Sequence, residues 1–329
     1  MPIQRLVRIQ IIAGLFTIGL LYAGCAGSKD PASSSFDMSE YQKVMERQRG
    51  EQQSLDQATQ SAQEMTADEH ERAGDMDAQR RNVTMAALHY DKALKADASR
   101  STVRLKLGQL FLQQGLLEPA LTQFEDVRKR DALSAYAHQG IGQVYLQQGK
   151  ITEAEALLTK SIELDGSSWL SENLLGLVYD QQQRHAEAIT AYKKALALHP
   201  REPSVLNNLG LAYALSGNHE SAIRTYEDAV RAGSTSPKLH NNLGVAYTHR
   251  HRYADALESF KKATDEPRAY NNLGVTLLGM GQVKRAASCF EKAIELNPQY
   301  YEKAVENLRN ARNAEATNSA LNAEPASCP

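Results

Sequence analysis

The chain has 329 residues, a formal net charge of −2 and an isoelectric point near 6.5. This balance gives no general attraction for nucleic acid or acidic lipid, so a nucleic-acid-binding function is not expected. Three cysteines are far fewer than small secreted domains use when disulfide bonds hold them together. We therefore expect helix or sheet packing to hold this fold.

The first 24 residues have the pattern of a targeting segment. Arg5 and Arg8 form a positive start, and a largely apolar run follows from Ile9 to Leu21. This run is too short for a transmembrane helix, which needs about 20 apolar residues. It leads into the sequence Leu-Tyr-Ala-Gly, directly before Cys25.

This junction resembles the cleavage box of bacterial lipoproteins. The resemblance implies a lipoprotein signal peptide over 1–24, lipid on Cys25 and, because Ala26 follows, a destination in the outer membrane. Two acyl chains or more are enough for stable anchoring. An uncleaved anchor or an ordinary secretory peptide remains the alternative.

Two polar segments follow the targeting segment. Residues 25–40 are rich in small and polar side chains, which predicts a flexible tether. Residues 41–66 are rich in Gln, Glu and Arg and have few apolar positions, which predicts a solvated, partly helical segment.

A 34-residue repeat organises the chain from Ser101 to Tyr300. Each repeat has a glycine, an alanine twelve residues later and a large apolar residue four residues after that. The glycines of this register are Gly108, Gly142, Gly176, Gly210 and Gly244, with Gly274 after a spacing of 30. Apolar residues recur three and four apart, which places them on one helix face. The pattern predicts antiparallel helix pairs, with small residues where two helices approach closely.

The period and the Gly, Ala and aromatic positions resemble the tetratricopeptide repeat (TPR) family. The resemblance implies an all-α fold, a TPR solenoid over 67–300 in which antiparallel helix pairs form a right-handed superhelix. Six repeats match clearly, and a seventh at 67–100 has Asp77 where an aromatic residue is expected. We expect a capping helix over 301–314 and a disordered tail over 315–329.

The remaining cysteines, Cys289 and Cys328, lie in the last repeat and in the tail. The sequence leaves a bond between them open, but we expect a buried or free thiol at each position.

No catalytic constellation and no phosphate-binding glycine loop emerge from the sequence. We therefore expect neither enzymatic activity nor a cofactor. His249 and His251 flank an arginine in a predicted turn, without Cys or carboxylate partners at metal-ligand spacing. We expect these two histidines to be solvated.

In the TPR family, the first helix of each repeat lines a concave face that binds peptides. The resemblance places on this face the residues three before and one after each glycine, together with two nearby cations. The predicted peptide-binding groove comprises Asn173, Leu177, Asn207, Leu211, Lys238, Asn241, Val245, Arg268, Asn271 and Val275. Amide side chains both donate and accept, which suits the backbone of an extended peptide. We expect the adjacent Asn208, Asn242 and Asn272 to bond within the scaffold instead.

The layout as a whole, a lipoprotein start followed by TPR repeats, resembles the assembly lipoproteins of the Tad (tight-adherence, Flp) pilus system. The resemblance implies a periplasmic scaffold, bound to the membrane through its lipid, whose partners are proteins such as a secretin or other pilus-assembly components. Two alternatives stay open: the pilotin of type IV pili, and an adaptor that regulates cell-wall synthesis. An enzyme that captures substrate with its repeats is disfavoured, because no segment is left to form a catalytic domain.

Overall fold

The computed structural model describes residues 39, 42, 43, 45–47, 65–297, 302–317 and 327–329. The predicted signal peptide and Cys25 lie outside these residues, as do most of the tether and of the polar segment. Every regular element in the described part of the chain is an α-helix, which confirms the all-α TPR fold. None of the helices in this part combines the length and the apolar character that crossing a bilayer requires.

The helices divide into two compact units, a first unit that ends at Arg184 and a second unit that begins at His185. The helices of the first unit are α1 (Ala67–Gln79), α2 (Val83–Ala96), α3 (Ser101–Gln113), α4 (Leu117–Arg130), α5 (Ala135–Gln147), α6 (Ile151–Leu164) and α7 (Trp169–Gln181). Those of the second unit are α8 (His185–Leu198), α9 (Pro203–Leu215), α10 (His219–Arg231), α11 (Pro237–His249), α12 (Tyr253–Ala263), α13 (Glu266–Gly279), α14 (Val283–Leu296) and α15 (Glu302–Thr317).

The first helices begin where the local sequence satisfies their free N–H groups. Pro203 and Pro237 stand at the first position of α9 and α11, where a missing N–H costs nothing. Ser134 and Ser168 precede α5 and α7, and each side-chain oxygen accepts a hydrogen bond from the backbone N–H three residues later.

The repeat glycine marks the closest helix contact within a pair. A methyl group added at Gly108 would lie 2.8 Å from the ring of Phe124, and one at Gly210 would lie 2.5 Å from the ring of Tyr226. The large apolar residue thus packs on the glycine of its own repeat at Gly108, Gly142, Gly210, Gly244 and Gly274. Phe124 also lies against Gly140 of the next repeat, so one ring fills the gap on both sides.

The turn between the two helices of a pair requires a left-handed residue. Gly115 and Gly217 have φ of 74° and 81° there. The same place is occupied by Gln183 and His251, with φ of 62° and 58°.

The C-terminal cap extends further than expected. Helix α15 ends at Thr317, three residues beyond the predicted end, and it buries Ala304, Leu308 and Ala311. Near the C-terminus, the backbone N–H of Cys328 donates a hydrogen bond to Ser288 Oγ at 3.2 Å.

The expectation of thiols at Cys289 and Cys328 is wrong, because the two residues form a disulfide bond. Their Cα atoms are 5.0 Å apart, within the range that a disulfide spans. The residues are separated by 39 positions, and only the fold brings them together.

Candidate functional site

In the second unit the first helices lie side by side, α9 beside α11, α11 beside α13 and α13 beside α15. We call the surface of these four helices that carries Asn207, Asn241 and Asn271 the first-helix face. These three residues, the asparagine row, occupy the same register position in successive repeats.

Each residue of the asparagine row accepts a hydrogen bond from the next first helix. Asn272 Nδ2 donates to Asn241 Oδ1 at 3.1 Å, and Asn307 Nδ2 donates to Asn271 Oδ1 at 2.9 Å. The corresponding contact from Asn242 to Asn207 is 3.5 Å long and therefore weak. The row is thus a ladder of hydrogen bonds between side-chain amides, and it joins neighbouring repeats.

This ladder confirms that Asn242 and Asn272 bond within the scaffold, but it changes what the row can offer to a ligand. The side-chain oxygens of the row are already engaged, whereas its amide nitrogens donate to no acceptor in the described part of the chain. The half-buried Asn207 and Asn241 therefore present donors, whereas Asn271 is only 6% exposed. The row fits the carbonyl oxygens of a ligand better than its N–H groups.

The aliphatic members of the predicted groove differ in their accessibility. Leu211 and Val245 are half-buried, while Val275 is 43% exposed. Val275 is therefore the member most available to a ligand side chain.

The two predicted cations also differ. Lys238 is exposed on the first turn of α11. Arg268 is held by Asp265 at the start of its own helix, with Nη1 2.9 Å from the carboxylate. The positive charge available on this face is therefore smaller than the sequence suggested.

Asn173 and Leu177, the first two members of the predicted groove, lie on α7 in the first unit. Asn173 is only 6% exposed, and Leu177 is half-buried. The other eight members all belong to the second unit.

The first unit has an amide of its own at this register position. Gln139 on α5 accepts hydrogen bonds through Oε1 from Ser168 Oγ at 2.8 Å and from Ser171 Oγ at 3.1 Å. Here too the side-chain oxygen is occupied by the next repeat, so the pattern found in the asparagine row recurs with different residue types.

A cleft of about 520 Å³ lies beside Gln139 in the first unit. It is lined by Ala78, Tyr90, Leu105, Lys106, Gln109, Leu110, Gln113, Phe124, Tyr136, Gln139, Gly140 and Leu170. Most of the lining is apolar, and Tyr136 is 61% exposed at its edge. The one cation, Lys106, is paired with Glu71 and Asp75 at 2.8 Å each. This cleft can take an uncharged side chain of a bound segment.

The structure corrects the expectation for His249 and keeps it for His251. His249 is half-buried and its ring stacks on that of His219, with centroids 4.2 Å apart and planes 8° from parallel. Burial lowers the pKa of His249 below its usual value. His251 is exposed, and its Nδ1 lies 2.7 Å from the hydroxyl of Tyr253. No group of three His, Cys, Asp or Glu residues in the described part of the chain is arranged to hold a metal ion.

Sequence reasoning missed Asn307, which extends the ladder into the capping helix. Its signal was present: Asn307-Leu308 repeats the Asn-Leu step of the earlier Asn-Asn-Leu-Gly segments. The glycine that marks a repeat is replaced there by Arg309, which hid the register.

Comparison with known proteins places this geometry in a family. A family model described as the cilia and flagella-associated protein 70 C-terminal domain matches residues 32–272. A tetratricopeptide repeat model matches residues 267–300. None of the curated proteins matches the sequence.

Similar solved structures show the same fold. The APC/C Cut9–Hcn1 assembly is 18% identical, with a TM-score of 0.55 over 74% of this chain and 47% of that chain. Pseudomonas aeruginosa PilF is 20% identical, with a TM-score of 0.51 over 65% of this chain and 96% of that chain. A tetratricopeptide repeat protein from Parabacteroides merdae is 16% identical, with a TM-score of 0.50 over 75% of this chain and 99% of that chain. Since the match over 32–272 spans more than half of the sequence, the chain belongs to the tetratricopeptide repeat family that the cilia and flagella-associated protein 70 C-terminal domain describes.

Proposed function

We propose that the protein is a periplasmic scaffold, anchored to the outer membrane through lipid on Cys25, that binds extended protein segments during assembly of a pilus or secretion machine of the Tad/Flp type. The observation that carries the binding step is the asparagine row, whose amide nitrogens are donors without a protein acceptor in the described part of the chain.

The spacing of the row suits an extended chain. Packed helices lie about 8–10 Å apart, and an extended strand rises about 3.3 Å per residue. Donors on neighbouring first helices would therefore meet about every third carbonyl of a bound segment. Val275, one turn along α13 from Asn271, would contact an apolar side chain of that segment.

The disulfide bond between Cys289 and Cys328 supports a periplasmic location. Structural disulfides persist in oxidising compartments such as the periplasm and are rare where thiols are kept reduced. The assignment to a pilus system depends on the resemblance of the whole layout to Tad assembly lipoproteins. A type IV pilotin or a cell-wall adaptor would use the same face with a different partner.

The binding step is tested by replacing Asn207, Asn241 and Asn271 together with aspartate. Aspartate keeps an acceptor oxygen for the ladder but removes the amide donor. Three neutral hydrogen bonds at about 0.5–1.5 kcal/mol each predict a loss of affinity of about tenfold to thousandfold. The readout is cross-linking in intact cells, identification of the captured proteins and measurement of their affinity for the purified variants.

A matched control uses single changes on two helices. Asn241→Asp, at a half-buried member of the row whose oxygen accepts from Asn272, should weaken capture, whereas Asn310→Asp, the same change on the exposed surface of α15, should not. Retention of every partner at wild-type strength by the folded triple variant would overturn the groove. Capture of cell-wall synthases instead of a secretin or pilus components would replace the pilus assignment with the adaptor.

The anchor is tested separately with Cys25→Ala. This variant should accumulate as unprocessed precursor and lose labelling by a fatty-acid analogue, and membrane fractionation should show its release. Continued labelling of the variant would refute lipidation at this cysteine.

A further inference from the structure

Two histidines form a contact between neighbouring repeats of the second unit. His219 is the first residue of α10, and His249 is the last residue of α11. Both are half-buried, and their rings stack with centroids 4.2 Å apart and planes 8° from parallel. This histidine stack therefore joins the repeat of α9 and α10 to the repeat of α11 and α12.

The same junction contains the longest hydrogen bond of the asparagine row. The contact from Asn242 Nδ2 to Asn207 Oδ1 is 3.5 Å long, whereas the bond from Asn272 Nδ2 to Asn241 Oδ1 at the next junction is 3.1 Å long. A hydrogen bond of 3.5 Å contributes little. The histidine stack thus lies at the junction where the ladder itself is weakest.

One ring nitrogen of His219 has no place for a proton. Its Nδ1 is sealed from solvent and has no hydrogen-bond partner in the described part of the chain. A neutral ring with its proton on Nε2 leaves only a lone pair at Nδ1, but a charged ring has an N–H on both nitrogens. A buried N–H without an acceptor is costly. The stack therefore favours the neutral form of His219.

The surroundings of the two rings also disfavour a positive charge. Burial, the ring of His249 and the charge of Arg250 lower the pKa of His219 below its usual value of 6.5. Burial, and then His251, lower the pKa of His249. The start of α10 disfavours a cation at His219, whereas the end of α11 favours one at His249. His219 is therefore the ring that resists protonation more.

The carboxylates at this end of the helices are already engaged with permanent cations. Glu220 lies 3.5 Å from Arg224 and 3.5 Å from Arg250, and Asp255 accepts a hydrogen bond from Arg252 at 2.8 Å. Helix α9 carries no Asp, Glu, Lys or Arg. The ionisable side chains here, besides the stack itself, are Tyr213, Glu220, Arg224, Tyr247, Arg250, His251, Arg252, Tyr253 and Asp255.

We propose that the histidine stack is a pH-sensitive hinge between repeats, in which protonation of His219 and His249 separates α10 from α11 and changes the distance between Asn207 and Asn241. Neutral rings stack face to face, whereas two charged rings repel each other at this distance. The effect of the hinge on a bound segment rests on the proposed function of the asparagine row, but the hinge itself does not.

The direction of the pH dependence follows from the lowered pKa values of the two rings. Once separated, the rings reach water and regain a pKa near the usual 6.5, so the separated form binds more protons than the stacked form. The stack therefore stabilises the junction fully above about pH 6.5, and this stabilisation is lost as the pH falls below that value.

The test measures hydrogen exchange of the full chain by mass spectrometry at about pH 7 and about pH 5, with each rate corrected for the intrinsic effect of pH on exchange. The amides of α10 and α11 should open about tenfold more often at the lower pH. Helices α3 and α4 contain no histidine and should not change, so they are the internal reference. In ¹⁵N-histidine NMR, both rings should titrate below pH 6.5, in the range where the helices open.

Three variants locate the effect. His219→Phe together with His249→Phe keeps two stacked rings that cannot take a proton, and it should abolish the opening at low pH. His219→Glu places a carboxylate opposite His249 at a helix start that favours it, and it should also prevent the opening. His199→Gln, a change at an exposed histidine directly after α8, should leave the wild-type response unchanged.

Three outcomes would overturn the hinge. The first is equal opening of α10 and α11 in the wild type at both pH values. The second is a wild-type response in the folded phenylalanine variant or in His219→Glu, which would assign the response to other groups. The third is titration of both rings at or above pH 6.5. Since exchange is measured without a partner, a failure of the proposed binding function would leave each of these results unchanged.

Discussion

The N-terminal helix pair of the first unit and the C-terminal helix pair of the second unit are held by different chemistry. In the first unit, Lys106 on α3 reaches back to Glu71 and Asp75 on α1, at 2.8 Å from each carboxylate. Arg100 Nη1 adds a contact of 3.1 Å to Glu71. These ion pairs join the first pair to the next helix along its polar surface.

In the second unit, helix α15 covers the last helix pair with Ala304, Leu308 and Ala311. A disulfide bond also joins Cys328 of the tail to Cys289 on α14. Partly exposed ion pairs contribute little to stability and weaken in salt, whereas a disulfide acts by restricting the unfolded chain. The first helix pair is thus stabilised by weak, salt-dependent ion pairs, whereas the last helix pair is stabilised by a covalent bond. The replacement of the two cysteines and of Lys106 tests this difference directly, and two further substitutions test the packing and the backbone within each unit, from the largest expected effect to the smallest.

Replacing Cys289 and Cys328 with serine should cost the second unit about 4 kcal/mol, the chain-entropy value for a cross-link over a separation of 39 residues. Hydrogen exchange measured by mass spectrometry should show faster opening of α14 and α15. The single tryptophan, Trp169, lies in the first unit, so its fluorescence transition in urea should be unchanged. Reduction of the wild type is the control, and an equal shift of the Trp169 transition would contradict a local effect.

Gly210→Ala should destabilise the second unit by about 1–3 kcal/mol, because the added methyl group would lie 2.5 Å from the buried ring of Tyr226. The matched variant is Gly279→Ala on α13, where an added methyl group meets nothing within 4 Å. Thermal unfolding followed by circular dichroism should separate the two variants. Equal stability of the two would show that the helix contact at Gly210 is looser than the distances indicate.

Lys106→Met should lower the stability of the first unit by about 1 kcal/mol or less at low salt, since its ion pairs with Glu71 and Asp75 are partly exposed. The loss should shrink at about 1 M salt, where the screening length falls to about 3 Å. Trp169 fluorescence in urea at both salt concentrations measures the effect. A loss that does not depend on salt would mean that the lysine stem contributes by packing.

Gln183→Gly should stabilise the first unit slightly, by about 0.5 kcal/mol. The native φ of 62° disfavours a side chain with a Cβ, and the relief exceeds the greater freedom of glycine in the unfolded chain. Gln182→Gly is the control, because that residue has φ of −83° and should lose stability instead. Denaturant midpoints of the two variants should move in opposite directions, and movement in the same direction would refute the strain at Gln183.

Much of the fold could be predicted from the sequence, because its determinants are local or recur at a fixed spacing. Gly108 and Phe124 are sixteen residues apart in a pattern that returns along the chain, so the helix pair could be recognised before any contact was known. The helix starts at Pro203 and Pro237 are local as well, because a proline needs no hydrogen-bonding N–H at the first helix position. The candidate groove was predicted less completely, because register alone does not tell which atoms of Asn241 and Asn271 are already bonded.

The sequence by itself therefore determined the helix pairs, their register and the side chains that each first helix carries. The tertiary structure decided two things that depend on atoms far apart in the chain. It paired Cys289 with Cys328, and it used the oxygens of the asparagine row to join repeats. The physical reason is the same in each case: a repeat fixes the direction of a side chain, but a hydrogen bond or a disulfide forms only within a few ångströms of a specific partner.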